Sequence, residues 1–565
     1  MTATEAVPAP ETPDRNGEFP RLSDEQISAL AALGERRRTR PNEVLYRTGD
    51  LNCDFFVVLD GTVAMVEEYG GEQERLISVH GRGRFLGGIG LLTGGPAFLT
   101  AVVQEPGEVL AVPTSWLREL VGRDPALGDL ILRAYLLRSS LLMGLGSGLR
   151  IVGSTFDPDT RRLREFACRN RLPHKWADVE EHNDAEALLR QLRISPDETP
   201  VVIWGNHVLR NPSTAELARL VGLRDLAAPE ILRDLVVVGA GPAGLAAAVY
   251  GASDGLDTVV LDAVATGGQA ERSPQIENYL GFPAGVSGAE LADRAVIQAK
   301  KFGAAISVPA EAVALGARDG YHLVRLDNGT TVSGRAVVIA TGARYRRLDV
   351  ARLEEFEGIS VHYAATELEA RLCMGDPVAV VGGGNSAGQA ALFLAQHAPV
   401  VRLLIRGGDL GRTMSRYLVD RIEHSRRIEV LRHTEVRALI GNGRLERIVV
   451  EDNRTGERRE LDTRGLFVFI GAEPHTGWLA NQVALDSRGF VLTGLDAAGG
   501  MADGPIRSTV EHIQELLETS RPGVLAVGDV RSGSIKRIAS AVGEGSMAVR
   551  LVHEHLARTG GHADL

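Results

Sequence analysis

Twice along this 565-residue chain a short apolar run enters a glycine-rich turn and passes straight into an alanine-rich stretch. The first instance is Leu235-Val236-Val237-Val238, then Gly239-Ala240-Gly241-Pro242-Ala243-Gly244, then Leu245-Ala246-Ala247-Ala248. The second is Pro377 to Val381, then Gly382-Gly383-Gly384-Asn385-Ser386-Ala387, continued by helix formers to Leu394. A lone glycine fingerprint carries little weight in a chain with 65 glycines, but the strand, turn and helix context that surrounds both is specific. In such a turn the first glycine makes the bend, the second lets the backbone approach a pyrophosphate, and the third lets helix pack on strand. The helix N-terminus then faces the phosphate charge. Two Rossmann-like α/β dinucleotide-binding domains are expected, with Pro242 and Ala243 against the first ligand and Ser386 and Ala387 against the second.

The strands that follow differ at their ends. Thr258-Val259-Val260-Leu261 ends in Asp262, placed to bond an adenosine ribose. Val400 to Ile405 ends instead in Arg406, with Arg412 six residues on. A guanidinium fork suits a 2′-phosphate that a carboxylate would repel, so the second loop is expected to take NADPH.

Residues 232 to about 560 resemble the low-molecular-weight thioredoxin reductase family of flavoproteins. The resemblance rests on further motifs in order: Thr266-Gly267-Gly268-Gln269 and Glu277-Asn278-Tyr279, Ala340-Thr341-Gly342, Gly528-Asp529, and Arg537-Ile538-Ala539 in place of that family's Arg-Gln-Ala. It implies FAD on the first loop, touching Thr266, Gly267, Gly268, Gln269, Asn278, Thr341, Gly342, Gly528, Asp529, Arg537, Ile538 and Ala539. It also implies an FAD-binding domain made of 232–350 and 474–560 around an NADPH-binding domain, 351–473. The residues themselves add that 538–556 reads as a helix whose positive end could face a flavin beside Asp529.

One departure is chemical. Where the family carries Cys-x-x-Cys this chain has Tyr363-Ala364-Ala365-Thr366, and its three cysteines, Cys53, Cys168 and Cys373, lie far apart. No local dithiol can form. Cys373 and Tyr363 are the nearest weak candidates for a catalytic protein group, and a packing role for Cys373 is the plainer expectation.

The length leaves room for further domains in front. Residues 1–20 read as a disordered tail. Over 21–147, Tyr46-Arg47-Thr48-Gly49-Asp50, Val57 to Val63 and Phe85-Leu86-Gly87 resemble a cyclic-nucleotide-binding β jelly roll closed by a C-terminal helix. Gly88 and Ala97 stand where that family needs a glutamate for the ribose and an arginine for the cyclic phosphate, so a domain kept for dimer contacts or another ligand is expected rather than one that binds a cyclic nucleotide. Residues 148–226 resemble a thioredoxin or glutaredoxin domain, with Thr199-Pro200 at the cis-proline and Asp157-Pro158-Asp159-Thr160 in place of the dithiol.

A net charge of −11 gives no basic field for nucleic acid, and no stretch approaches the ~20 apolar residues of a membrane span. No metal-ligand spacing is present. The expectation is a multidomain, cytoplasmic, homodimeric FAD-dependent oxidoreductase. It would move hydride from NADPH to flavin N5 and deliver electrons to an unidentified acceptor such as a small redox protein. A ferredoxin or flavodoxin reductase, or a slow redox sensor, are the alternatives.

Overall fold

The computed structural model describes residues 9–51, 53–71, 74–88, 90–180, 183–205, 207–224, 231–273, 276, 278–357, 359–363, 365, 369–370, 373–479, 481–499 and 516–560. Two compact units emerge, one from residues before 228 together with 263–265 and 296–310, the other from the rest.

In the front unit, strands Phe55–Glu67 and Thr100–Val112 pair antiparallel along most of their length. Shorter strands Glu35–Arg38, Val44–Tyr46 and Arg75–His80 flank them. Inward positions Phe55, Val57, Leu110 and Val112 share a core with Leu117, Leu127, Ile131 and Tyr135 from the helices that follow. Those helices, Thr114–Arg123 and Pro125–Leu145, break at Asp124, whose carboxylate accepts from Ala126 N and Leu127 N at 3.1 Å. Proline at the first helical position costs no hydrogen bond there. From this second helix the buried Arg138 donates to the carbonyls of Gly87 and Phe85 at 3.0 Å, and Tyr135 Oη to that of Leu86 at 2.9 Å. The turn at 85–87 is therefore fixed by the helix that follows the sheet.

The expectation of a disordered tail over 1–20 fails for residues 9–20. Thr12 N donates to Val79 O at 3.1 Å, Val79 N to Thr12 Oγ1 at 2.8 Å, and Phe19 is buried. The reason is the edge strand Arg75–His80, whose backbone groups gain partners from this segment. The arginine run at 36–38 is exposed, with Arg36 and Arg37 beside Glu108 and Glu43.

A second sheet in this unit has the order His174–Ala177, Leu149–Val152, Val201–Trp204, His207–Arg210. Its first pair is parallel and the others antiparallel. Helix Pro158–Arg169 connects the first two strands in sequence, and the Thr199–Pro200 peptide is cis.

The second unit holds two parallel sheets. In one, Thr258–Leu261, Leu232–Val238, Thr331–Ile339 and Val524–Ala526 lie side by side. Tyr321–Leu326 and Ala312–Arg318 extend it antiparallel. Strand 524–526 thus joins a sheet begun nearly three hundred residues earlier in the sequence. The other sheet runs Val361–His362, Gly465–Val468, Val378–Val381, Val401–Leu404, Ile428–Leu431, all parallel. A three-stranded antiparallel layer, 434–462, packs Leu439, Leu445, Ile448 and Val450 beneath it. Ala343–Tyr345 and Ala472–Pro474 pair as an antiparallel ribbon between the two sheets in sequence. No helix among the described residues is long and apolar enough to cross a membrane.

Candidate functional site

Strand Leu232–Val238 delivers the first glycine turn, and helix Pro242–Ser253 leaves it. Gly239 has φ +109°, and a Cβ there would stand 2.3 Å from Ala340 O; one on Gly244 would stand 1.9 Å from Gly239 O. Gly241 differs, because a Cβ on it would meet nothing nearer than 3.9 Å. Two glycines are therefore demanded by the fold, and the third opens onto space at the helix N-terminus where a pyrophosphate would lie.

Motifs far apart in sequence converge on this turn. Gly267 N donates to Ala240 O at 2.7 Å, and a Cβ on Gly268 would come within 2.9 Å of Gly241 Cα. Gln269 Nε2 donates to Ala343 O, tying that segment to the crossover ribbon. Ala340-Thr341 backs onto Gly239; Thr341 Oγ1 donates to His475 O at 2.9 Å, and Gly342 O accepts from His475 N. A Cβ on Gly528 would lie 2.9 Å from that of Ala243. Asp262 does more than wait for a ribose: one of its oxygens accepts from Ala240 N at 2.7 Å and so braces the loop.

Asp529 sits in the one-turn 3-10 helix Gly528–Val530, its carboxyl pushed up by burial and drawn partly back by Lys536. Glu544 holds this turn from the last helix, accepting from Gly528 N at 2.7 Å and pairing with Arg531 at 2.6 Å. That helix spans Ile538–Gly560 and lies close on helix 242–253, since a Cβ on Gly545 would stand 2.2 Å from Ala243 O. Thr266 and Ile538 are half-buried, while Asn278, Arg537 and Ala539 are exposed. Glu277 lies outside the described residues.

The second turn repeats the design. Gly382 has φ +144°, with Phe469 O 2.3 Å from a Cβ placed there, whereas a Cβ on Gly384 would meet nothing within 4 Å. Helix Asn385–Leu394 follows; Ala387 is buried and Ser386 exposed. Arg406 and Arg412 are both exposed on the loop after strand 401–404, and neither has a carboxylate partner among the described residues. Asp409, on the same loop, turns back to accept from Gly411 N at 2.8 Å.

Tyr363 and Cys373 are not alike. Tyr363 Oη donates to Glu357 Oε1 at 2.5 Å, and Glu357 is gripped by Arg347 at 2.8 and 2.5 Å. Burial, then the Glu357 hydrogen bond, raises its phenol above the ordinary range, so it stays protonated. Cys373 is buried among Val378, Ala391 and Phe467, its thiol pushed up to about 12 by burial. Ala364 and Thr366 lie outside the described residues. Among the described residues no cluster of three metal-ligating side chains occurs.

Residues 233–545 match the model of the pyridine nucleotide-disulphide oxidoreductases. The chain belongs to that family. A second model, the cyclic nucleotide-binding domain, matches residues 36–124. NADPH-dependent thioredoxin reductase 3 of Arabidopsis thaliana is 32% identical over 62% of this chain and 65% of its own length. The 34.2 kDa protein in the rubredoxin operon of Clostridium pasteurianum is 32% identical over 57% of this chain and 97% of its own. Among solved structures, T. acidophilum thioredoxin reductase is 30% identical with TM-score 0.51, over 57% of this chain and 99% of that one. Thioredoxin reductase-like members of the family use FAD and NADPH. The two open glycine cradles, at Gly241 and Gly384, fit dinucleotide cofactors of this kind.

The motifs brought together were all legible as motifs. What sequence reading missed were the braces, Glu544 with Arg531, Glu357 with Arg347, and residues 413–415, because charged and polar pairs at long spacing carry no periodic signal.

Proposed function

We propose that this oxidoreductase passes electrons from NADPH through FAD directly to an external acceptor, with no thiol relay of its own. FAD and NADPH, when bound, supply the redox chemistry between nicotinamide C4 and flavin N5. The protein's part is to bind, orient and exclude water. Gly241 and Gly384 leave the pyrophosphate positions open, Arg406 and Arg412 favour the 2′-phosphate, and Asp529 follows Gly528 in the turn that Glu544 holds close to Ala243. The reading is supported at position 363, where the sequence resemblance sets a tyrosine against the family's first cysteine and where its phenol, held protonated, is tied to Glu357. Cys373 cannot substitute, since a buried thiol held protonated is a poor nucleophile.

The front half supports a carrier or regulatory role. For residues 148–226 a thioredoxin-like domain is supported by the strand order and the cis Thr199–Pro200 peptide. In it Asp157 accepts from Thr160 N and Thr160 Oγ1 at 2.7 Å, a helix cap in place of thiol chemistry. In the domain at 21–147, Gly88 leaves a ribose without its glutamate and Ala97 leaves a cyclic phosphate without its cation, and the neighbouring core is apolar, with Tyr46, Met65, Leu86 and Leu99. A homodimeric, cytoplasmic protein completes the reading.

The test is anaerobic. The yellow holoprotein should be bleached faster by NADPH than by NADH, then reoxidised by some acceptors and not by thioredoxin disulfide. Reoxidation by thioredoxin disulfide that is lost in Cys373→Ala would overturn the reading, because it would show a thiol relay within the protein.

A further inference from the structure

Three consecutive residues grip the second glycine turn, each by a different contact. Thr413 Oγ1 donates to Gly383 O at 2.7 Å. Met414 fills the space over Gly388, whose added Cβ would stand 2.7 Å from the sulfur. Ser415 donates to Asn385 Oδ1 twice, from N at 2.7 Å and from Oγ at 3.0 Å. The grip joins the first turn of helix 385–394 to the start of helix Arg416–His424. Between strand 401–404 and this grip runs the loop carrying Arg406 and Arg412. Its near end is held separately, with Asn453 Nδ2 on Arg406 O at 3.1 Å and His433 N on Gly407 O at 3.2 Å.

We propose that Thr413 and Ser415 are positioning residues that set the preference for a 2′-phosphorylated dinucleotide. They fix Arg412, next to Thr413, against a glycine turn whose own shape does not depend on them. This deepens the NADPH reading and rests on it. The turn needs no such support, because Gly382 is wedged against Phe469 and helix 385–394 is anchored by buried Ala387, Ala391 and Leu394. An arginine on an exposed loop, by contrast, loses rotamer and backbone freedom on taking up a phosphate, and a loop ordered beforehand loses less. Met414, buried in the core of this half, keeps the segment docked when either hydroxyl is removed.

The experiment is calorimetric titration of the FAD-loaded full-length protein with two probes, adenosine 2′,5′-bisphosphate and ADP. Wild type should bind the bisphosphate more tightly. Thr413→Val and Ser415→Ala should each weaken the bisphosphate about fivefold, the size expected for one lost hydrogen bond, with ADP affinity unchanged. Thr413→Ser should restore it. In stopped-flow bleaching the same variants should raise the apparent Kd for NADPH and leave the limiting rate alone. Unchanged bisphosphate affinity in both variants would overturn the proposal, and so would equal losses for both probes, which would mean that the grip merely shapes the turn. A wild type that binds the two probes equally would instead sink the NADPH reading beneath it.

Discussion

Cys373 packs its sulfur so close to strand Gly465–Val468 that a Cβ on Gly465 would stand 2.5 Å from it. At that distance it is a core atom. Cys373→Ala should leave NADPH bleaching within about twofold of wild type while lowering stability by roughly 1 kcal/mol, the cost of a small cavity, read by urea denaturation. Its thiol is held from 9.0 up to about 12 by burial, so in that window the unfolded chain sheds a proton that the folded one keeps. Stability contributed by Cys373 is therefore complete below pH 9 and lost as pH rises towards 12. The alkaline fall in denaturation midpoint should be shallower in Cys373→Ala, and an equally steep fall would contradict the burial argument. Gly384 gives the complementary residue-scale case. With nothing within 4 Å of its missing Cβ, Gly384→Ala should fold and stay yellow, yet bind NADP⁺ at least about tenfold more weakly, because the methyl enters the phosphate's place. Fluorescence titration checks it, and undiminished binding would move the nucleotide elsewhere.

Helix 538–560 against helix 242–253 is an element-scale contact with one tight point, Gly545 on Ala243 O. Gly545→Ala must separate the helices, and with them the Gly528 turn and the first glycine loop. FAD loss on dialysis, followed by absorbance, should be faster than in wild type, while bisphosphate binding at the second turn stays unchanged; retention of FAD as in wild type would show the contact to be slack. Here sequence reading did well: buried-strand runs such as 235–238 and 378–381, the alanine-rich helices and the helix from 538 all lie where periodicity puts them, since local patterns encode local structure. It failed where partners are distant. The segment 9–20 looks like a tail until the edge strand 75–80 supplies its hydrogen bonds. Asp262 was read for its ligand, not for the Ala240 amide that it also holds.

At the scale of the whole molecule the family match covers only the rear of the chain, 233–545, and the Clostridium pasteurianum relative is matched over 97% of its own length by 57% of this chain. Removing residues 1–230 should leave a yellow protein that NADPH bleaches at a rate within about twofold of the intact chain, because every cradle and brace described for the two nucleotides lies beyond residue 230. The truncated chain should nevertheless melt earlier. Residues 296–310 belong to the front unit, and Ile297 is buried in the cluster that holds Leu30, Phe55 and Tyr135, so truncation strips its packing partners. The two readouts separate two roles: a normal rate with a lower melting temperature makes the front half a structural and partner-facing addition. Slow bleaching in a chain that still retains full FAD would instead mean that the front domains govern access of NADPH to the flavin.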